Sequence, residues 1–283
     1  MWSGKTKTAE RCTYYTKTAI GANHLAGGAP CQDHAASYHD EERTIVTACD
    51  GHGGALYIRS DRGSRFASAA LIAALQQTDG SAFRRQKDEW ADGLRIRIIS
   101  TWNAMVERDL ASDPVRRAET HALTDRQKET LRQDPFKAYG TTVHGAMMTE
   151  NKLVCVSLGD GGVFLCRRDR IEQAFEEGDE QAANLTHSLC EEDAGRHMHV
   201  AVEDAGKWDG VLLGTDGAIN PYGDLENLAR SLALPAIRKL ANKETDALAQ
   251  FVTDLGRTAG TGDDVSLALL FREKRLHQYT SGR

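Results

Sequence analysis

The sequence is poor in aromatic residues, in closely spaced cysteines and in long apolar runs. Aromatic residues make up 6% of the 283 positions, whereas 40% of the positions are hydrophobic. We therefore predict a core of considerable size that is packed mainly by aliphatic side chains. The six cysteines are scattered and form no CxxC pair, which argues against a zinc knuckle or a thioredoxin-like site. Scattered, reduced cysteines suit the cytoplasm.

Signals for secretion, membrane insertion and polyanion binding are also missing. The first ten residues contain no apolar stretch typical of a secretory signal. No run of about 18 apolar residues occurs, so no transmembrane helix is predicted. The net charge is −6 without a long Lys/Arg block, which argues against nucleic acid or an anionic membrane as the main partner. We expect a soluble, cytoplasmic monomer.

Short β-branched runs arrive as hairpins and alternate with paired helical patterns. Predicted strands cover 35–38, 44–49, 141–148, 153–158, 163–167, 211–213 and 265–271. Predicted helices run from Phe66 to Leu75, from Trp90 to Val106 with an apolar residue every fourth position, and from Leu248 to Leu255. Since regular βαβ alternation is missing, we predict an α+β fold, a central antiparallel β-sandwich flanked by helices on both faces in four α-β-β-α layers.

We predict a single domain over 1–283, with its core at about 14–272. Two connections, 149–152 and 159–162, are predicted to be hairpin turns. The charged segment at about 111–137 carries two prolines and is predicted to be an exposed insertion with a short helix at 125–131. The polar tail after Arg272 is predicted to be frayed.

Aspartates mark the ends of the predicted strands. They are Asp33 before 35–38, Asp50 after 45–49, Asp160 after 154–159, Asp216 after 211–215, and the pair Asp263–Asp264 before 265–271. Carboxylates that gather at one rim repel each other. Bound divalent cations relieve that repulsion, and hard oxygen ligands select Mg²⁺, Mn²⁺ or Ca²⁺ over zinc.

Ordinary turn chemistry is the competing interpretation, because Asp-Gly is the commonest hairpin turn. A turn suits Asp160-Gly161, since a strand follows. It suits Asp50-Gly51 and Asp216-Gly217 poorly, since helical or irregular sequence follows them. The pair at 263–264 could simply end a loop. His52, in the Gly-rich run after Asp50, could be a proton donor or only a polar loop residue.

Taken in order, the motifs resemble those of the metal-dependent PPM family, the type 2C Ser/Thr protein phosphatases, in its bacterial branch. The resemblance spans roughly 21–271 and rests on short motifs that are weak singly and specific together. They are Gly-Ala-Pro-Cys-Gln-Asp ending at Asp33, Cys49-Asp50-Gly51-His52-Gly53-Gly54, Gly140-Thr141-Thr142, Gly159-Asp160-Gly161, Thr215-Asp216-Gly217 and Asp263-Asp264-Val265-Ser266.

The resemblance implies a site for two Mn²⁺ or Mg²⁺ ions. Asp50 would bridge the two ions, and the Gly51 carbonyl would bind one of them. Asp216 and Asp263 would bind the other. Asp160 matches a ligand of a third, weaker ion.

The remaining roles are also implied by position in the family motifs. Asp33 would orient waters from behind the ligands, and His52 matches the proposed general acid. The expected reaction is hydrolysis of phosphoserine or phosphothreonine by direct attack of a metal-bridging hydroxide. The substrate would be a phosphoprotein, made by a cognate Ser/Thr kinase.

Three departures from the family pattern matter. The usual phosphate-binding arginine is replaced by Gly28, and the nearby His24 is the candidate substitute. Asp264 stands where the family has asparagine, so either Asp263 or Asp264 could be the ligand. Asn220 replaces a further aspartate, which puts the third ion in doubt.

Two other functions remain open from sequence. A phosphatase-like scaffold could bind a partner with little or no catalysis, although it would not need to retain the acidic residues. A small-molecule phosphoesterase could use the same fold, because substrate choice lies in loops such as 111–137. A Ca²⁺-binding structural domain is not expected, since no D-x-D-x-D-G loop occurs.

Overall fold

Two five-stranded antiparallel sheets form the centre of the computed structural model, which describes residues 11–78, 87–175, 186–259 and 261–280. The strands of these residues are β1 (Cys12–Ala19), β2 (His34–His39), β3 (Arg43–Cys49), β4 (Val143–Thr149), β5 (Lys152–Leu158), β6 (Gly162–Arg167), β7 (Arg170–Gln173), β8 (His199–Asp204), β9 (Gly210–Gly214) and β10 (Val265–Arg272). The first sheet has the order β1-β10-β9-β6-β7, and the second has the order β2-β3-β4-β5-β8.

Helices cover the outer faces of both sheets. They are α1 (Ala22–Gly27), α2 (Ser60–Gln76), α3 (Lys87–Ser112), α4 (Asp125–Gln133), α5 (Ala194–His197), α6 (Asp216–Ile219), α7 (Leu225–Leu228), α8 (Leu234–Ala241), α9 (Thr245–Asp254) and α10 (Glu273–Leu276). Short π-helical turns at Ala229–Ala233 and Leu255–Ala259 follow α7 and α9, and 3₁₀ turns lie at Pro135–Tyr139, Ala205–Lys207, Asn220–Tyr222 and His277–Tyr279. Among the described residues, every helix is too short or too polar to cross a membrane.

The layers follow from strands that are apolar on both faces. In β10, Leu267 and Leu269 pack toward α8 and α9, whereas Ala268 and Leu270 pack between the two sheets. Side chains of a strand alternate between its faces, so a strand that is covered on both sides must be largely apolar, and within 265–271 only Ser266 is polar. On the other side, Leu71 of α2 and Trp102 of α3 cover the second sheet. The predicted four-layer α+β fold is confirmed.

One predicted hairpin is present and the other is wrong. The turn at 149–152 joins β4 and β5, which pair with each other. The turn at 159–162 instead joins β5 of the second sheet to β6 of the first. Gly159 and Gly161 have φ angles of 90° and 99°, values that other residues rarely adopt. These two glycines let the chain cross between sheets where sequence pattern alone indicates a simple reversal.

The predicted exposed insertion at about 111–137 is packed against the body of the protein. Its short helix is present as α4, but Leu123 and Leu131 are buried. The guanidinium of Arg59, 2% exposed, donates to both carboxylate oxygens of Glu119 at 2.7 and 2.9 Å. It also donates to the Tyr139 hydroxyl at 2.7 Å. A buried arginine needs such partners. These hydrogen bonds therefore hold the segment against the body of the protein.

The prediction of a frayed tail after Arg272 is also wrong for residues up to 280. The chain forms α10 and then buries Tyr279, whose ring meets Phe271 edge-on at 5.9 Å between centroids. The Tyr279 hydroxyl donates to Asp209 at 3.1 Å. One buried aromatic therefore anchors a segment whose polarity indicates disorder.

We predict that Arg59→Met lowers the free energy of unfolding by about 3 kcal/mol, because it leaves Glu119 and nearby carbonyls without their donor. Urea unfolding followed by circular dichroism measures this change. The control is Arg126→Met, since Arg126 lies exposed on α4. Equal stability of the two variants would show that Arg59 does not hold the segment.

Candidate metal centre

Antiparallel pairing brings the strand-end aspartates of the second sheet to one rim. His34 at the start of β2 pairs with Cys49 at the end of β3. Asp33 and Asp50, the next residue beyond each, therefore lie at the same end of the sheet. Thr142, just before β4, lies there too: its hydroxyl accepts from the Asp50 backbone N–H at 3.0 Å.

The first sheet contributes its aspartates to the same rim. Gly214 at the end of β9 pairs with Gly162 at the start of β6 and with Leu267 near the start of β10. Asp160, Asp216 and Asp263 flank these strands and lie at one end of the sheet.

Thr215 joins the two sheets across this rim. Its hydroxyl donates to Asp33 Oδ2 at 2.7 Å and accepts from the Ser266 N–H at 2.9 Å.

The glycines that follow two of the aspartates serve close packing. A Cβ on Gly51 would lie 2.5 Å from the Ser60 carbonyl oxygen, and one on Gly217 would lie 2.1 Å from the Asp264 carbonyl oxygen. Neither Asp50-Gly51 nor Asp216-Gly217 forms a hairpin, since an irregular segment and α6 follow them. The interpretation of these pairs as ordinary hairpin turns is therefore wrong.

Asp33 is a buried member of the cluster, with only 5% of its surface exposed. The pKa of its carboxyl is raised to about 7, chiefly by burial and also by nearby Asp264 and Asp216, while hydrogen bonds with Asp50 and Thr215 oppose the shift. Its Oδ1 is buried and has no hydrogen-bond partner among the described residues. This orphaned oxygen is free to accept from a water or another ligand.

Asp50 and Asp216, unlike Asp33, are partly exposed. Burial raises the pKa of Asp50 well above its usual value, and repulsion by Asp33 and Asp216 adds to the shift. Burial, then repulsion by Asp160 and Asp263, raises the pKa of Asp216 to about 6. Each carboxylate thus resists ionisation because its neighbours are also acidic.

Asp160 lies beside this group and carries another free acceptor. Its Oδ2 accepts from the Thr186 hydroxyl at 2.8 Å, whereas its Oδ1 is buried and has no partner among the described residues. Its backbone carbonyl accepts from His144 Nε2 at 2.6 Å.

The two adjacent aspartates before β10 differ sharply. Asp263 is exposed at the rim, and its Oδ1 accepts only from the Asp264 N–H, at 2.8 Å. Asp264 is 2% exposed and accepts from Gly21, His24 and Gln32. Of these two adjacent residues, judged by the described part of the chain, Asp263 is the one whose carboxylate is available to a ligand at the rim.

His52 lies in a small aromatic enclosure next to the cluster. Its ring packs against Tyr57, with 4.9 Å between centroids. Gly140 makes room for both rings, since a Cβ there would lie 2.4 Å from the Tyr57 ring. Nε2 of His52 is buried with no partner among the described residues. Burial lowers the pKa of His52, while Asp160 and Glu191 oppose that shift.

The acidic cluster fits divalent cations. In the described ranges, Asp33, Asp50, Asp160, Asp216 and Asp263 make no ion pair with Lys or Arg, and two of their oxygens are buried without partners. Hard cations prefer such oxygen donors. Within these ranges, no group of three His, Cys, Asp or Glu side chains lies close enough together to enclose an ion by itself. Backbone carbonyls such as that of Gly51, and waters, would have to complete the coordination.

Sequence reasoning missed several residues that support the cluster. Gln32 donates through Nε2 to the His52 carbonyl at 3.3 Å and to Ser60 Oγ at 2.6 Å. His144 is fully buried, and its ring supports the Asp160 carbonyl. The position of Gln32 beside Asp33 is a usable sequence signal, but nothing in the sequence around His144 indicates its partner.

Comparisons with known proteins point in one direction. A family profile described as Protein phosphatase 2C matches residues 20–253. A bacterial serine phosphatase structure superposes with a TM-score of 0.60 and 17% identity, over 93% of this chain and 98% of that chain. For the serine/threonine phosphatase Stp1 from Staphylococcus aureus, the TM-score is 0.59 and the identity 14%, over 96% and 99% of the two chains.

A third structure is the catalytic domain of the serine/threonine protein phosphatase PstP in complex with two manganese ions. It has a TM-score of 0.56 and 18% identity, over 92% of this chain and 97% of that chain. At such identities the likeness establishes a shared fold. No curated protein matches the sequence significantly.

We predict that the metal-free protein loses stability as the pH rises from about 4 to about 7, through the Asp33 contribution. The pKa of Asp33 is about 7 in the fold against an ordinary 3.8, so the native state holds more protons than the unfolded state in this window. Stability therefore falls with rising pH.

Thermal unfolding in EDTA at several pH values, for the wild type and Asp33→Asn, measures this contribution. The wild type should lose stability relative to the variant as the pH rises. Glu150→Gln, in an exposed turn, should show no such trend. A pH-independent difference between wild type and Asp33→Asn would contradict the shift.

Proposed function

The chain belongs to the Protein phosphatase 2C family, and on that premise we propose that it hydrolyses phosphoserine and phosphothreonine in protein substrates. The family match confirms the resemblance drawn from the sequence motifs and makes the protein a serine/threonine phosphatase. The observation that carries the proposed chemistry is the convergence of Asp33, Asp50, Asp160, Asp216 and Asp263 at one open rim, without a paired Lys or Arg in the described residues.

We propose that two Mn²⁺ or Mg²⁺ ions bind at this rim. Asp50 and the Gly51 carbonyl would hold one ion, and Asp50, Asp216 and Asp263 would hold the other. Asp160, with its unpartnered Oδ1, is the candidate ligand of a third ion. When bound, such ions activate a water for direct attack on phosphorus and offset charge on the phosphoryl oxygens.

Two residues of the chain then orient groups and move a proton. Asp33 is held by the Thr215 hydroxyl, and its Oδ1, which has no partner among the described residues, would orient a water at the metal site. His52 would protonate the departing serine or threonine oxygen through Nε2, which has no partner among the described residues. The packing of Tyr57 and Gly140 around the His52 ring fixes its orientation.

The substrates are proposed to be phosphoproteins made by a serine/threonine kinase in the same compartment. We propose the cytoplasm as that compartment, because all six cysteines are free thiols in the structure and free thiols persist in reducing surroundings. His24 is proposed to contact the substrate phosphate, since it lies near Gly28, the position where the family's arginine is missing.

We predict that the protein hydrolyses a phosphoserine peptide and p-nitrophenyl phosphate only with added Mn²⁺ or Mg²⁺, and that Asp50→Asn reduces both activities to background. Asp50 is expected to hold both ions, so its loss removes the centre. Asp169→Asn, at the exposed β6–β7 turn, is the matched control and should keep wild-type activity. Full activity in EDTA would contradict the role of the metals.

We predict a larger rate loss in His52→Ala with poor leaving groups than with p-nitrophenolate, because only a basic leaving oxygen needs a proton in the transition state. A series of aryl phosphates of rising leaving-group pKa measures the dependence in wild type and variant. The variant should show the steeper decline in kcat with leaving-group pKa. Parallel declines would argue against His52 as the proton donor.

A further inference from the structure

We infer that Asp264 is not a metal ligand but a positioning residue that holds His24 for recognition of the substrate phosphate. This inference rests on the proposed phosphatase function and resolves which of the two adjacent aspartates faces the ions. It also joins two departures from the family motifs, the histidine near the missing arginine and the aspartate in place of asparagine, in one hydrogen-bonded pair.

Both oxygens of the Asp264 carboxylate are engaged by protein donors. Its Oδ1 accepts from the Gly21 N–H at 2.7 Å. Its Oδ2 accepts from the Gln32 N–H at 2.6 Å and from His24 Nδ1 at 2.8 Å. The side chain is only 2% exposed. A metal could reach these oxygens only by breaking bonds that tie three parts of the chain together.

Three donors on two oxygens also explain why the residue is acidic. A carboxylate accepts on both oxygens, whereas an asparagine would turn an NH₂ group toward at least one of the donors. Either the Gly21 amide, or the Gln32 amide together with the His24 ring, would then lose its acceptor in a buried place. Among the described residues, the exposed Asp263 carboxylate accepts one hydrogen bond, from a backbone N–H. We therefore assign Asp263 as the metal ligand and Asp264 as the supporting residue.

His24 is oriented by this bond. With Nδ1 donating to Asp264, the other ring nitrogen, Nε2, lies on the far edge of the imidazole, away from the carboxylate. The tautomer is assigned from the partner, since a carboxylate that accepts two amides requires a donor. The His24 side chain is 22% exposed, and its Nε2 makes no hydrogen bond to the residues described. It is therefore available to a solvent-borne ligand.

The Asp264–His24 pair lies beside the acidic cluster. Asp264 binds the Gln32 amide, which directly precedes Asp33, and Asp264 contributes to the raised pKa of Asp33. A phosphate brought to the rim would be close to the Asp264–His24 pair. As an imidazolium, His24 donates from Nδ1 to Asp264 and from Nε2 to a phosphoryl oxygen, a contact that the surrounding carboxylates cannot make.

The test measures binding of inorganic phosphate to the Mn²⁺-loaded full chain by calorimetry, and steady-state kinetics on a phosphoserine peptide. His24→Asn keeps an amide donor in place of Nδ1 and removes Nε2. It should weaken phosphate binding and raise KM by about tenfold or more, the size of one hydrogen bond to a charged group. The kcat should stay within about threefold of wild type. Mn²⁺ affinity should be unchanged.

Asp264→Asn should reproduce the His24→Asn effect on phosphate, and the double variant should be little worse than either single one. Asp263→Asn is the matched comparison and should weaken Mn²⁺ binding instead. If Asp264→Asn does not fold, His24→Gln replaces it: this variant keeps an amide near Nε2 but loses the bond to Asp264, and should also lose phosphate affinity.

Phosphate binding to His24→Asn at wild-type strength would overturn the inference. So would a loss of Mn²⁺ affinity in Asp264→Asn equal to that in Asp263→Asn, or wild-type phosphate affinity in His24→Gln. Because phosphate binding is measured without turnover, an inactive wild type would count against the proposed function alone.

Discussion

Electrostatic repulsion among carboxylates at one rim is the constraint on which the rest of the structure depends. Antiparallel pairing in both sheets delivers Asp33, Asp50 and Asp216 to this rim, and burial together with their mutual proximity raises the pKa of each. A fold gains no stability from such a cluster alone. Bound divalent cations would convert this repulsion into affinity for the ions.

The supporting contacts join the two sheets at the point where repulsion would separate them. The hydroxyl of Thr215, which follows β9 of the first sheet, donates to Asp33, which precedes β2 of the second sheet. Asp264, before β10, accepts from the amides of Gly21 and Gln32. Burial is graded across the rim, with Asp33 and Asp264 enclosed and Asp263 exposed. The enclosed acids hold the geometry, and the exposed side stays open to a large substrate such as a phosphoprotein.

Strands buried on both faces, such as β3 and β10, could be predicted from sequence because most of their residues are apolar or β-branched. Of the four edge strands, β2 is predicted by the run 35–38, whereas β1, β7 and β8 are not predicted, since their patterns are mixed. The Asp160 turn was misread because a glycine-rich turn within a sheet and one between sheets have the same local sequence. The packing of 111–137 depends on one distant residue, Arg59, which no local pattern reveals. The aspartates were found from their strand-end positions, but the different tasks of Asp263 and Asp264 required the hydrogen bonds of the fold.

A crystal structure with Mn²⁺, read from the anomalous signal of manganese, tests the central claim most directly. The account predicts two anomalous peaks at the rim, with Asp50 touching both, Asp216 and Asp263 touching one, and Asp264 still bound to His24 and the Gly21 and Gln32 amides. No peak between these carboxylates, or coordination through Asp264 with Asp263 turned to solvent, would contradict it.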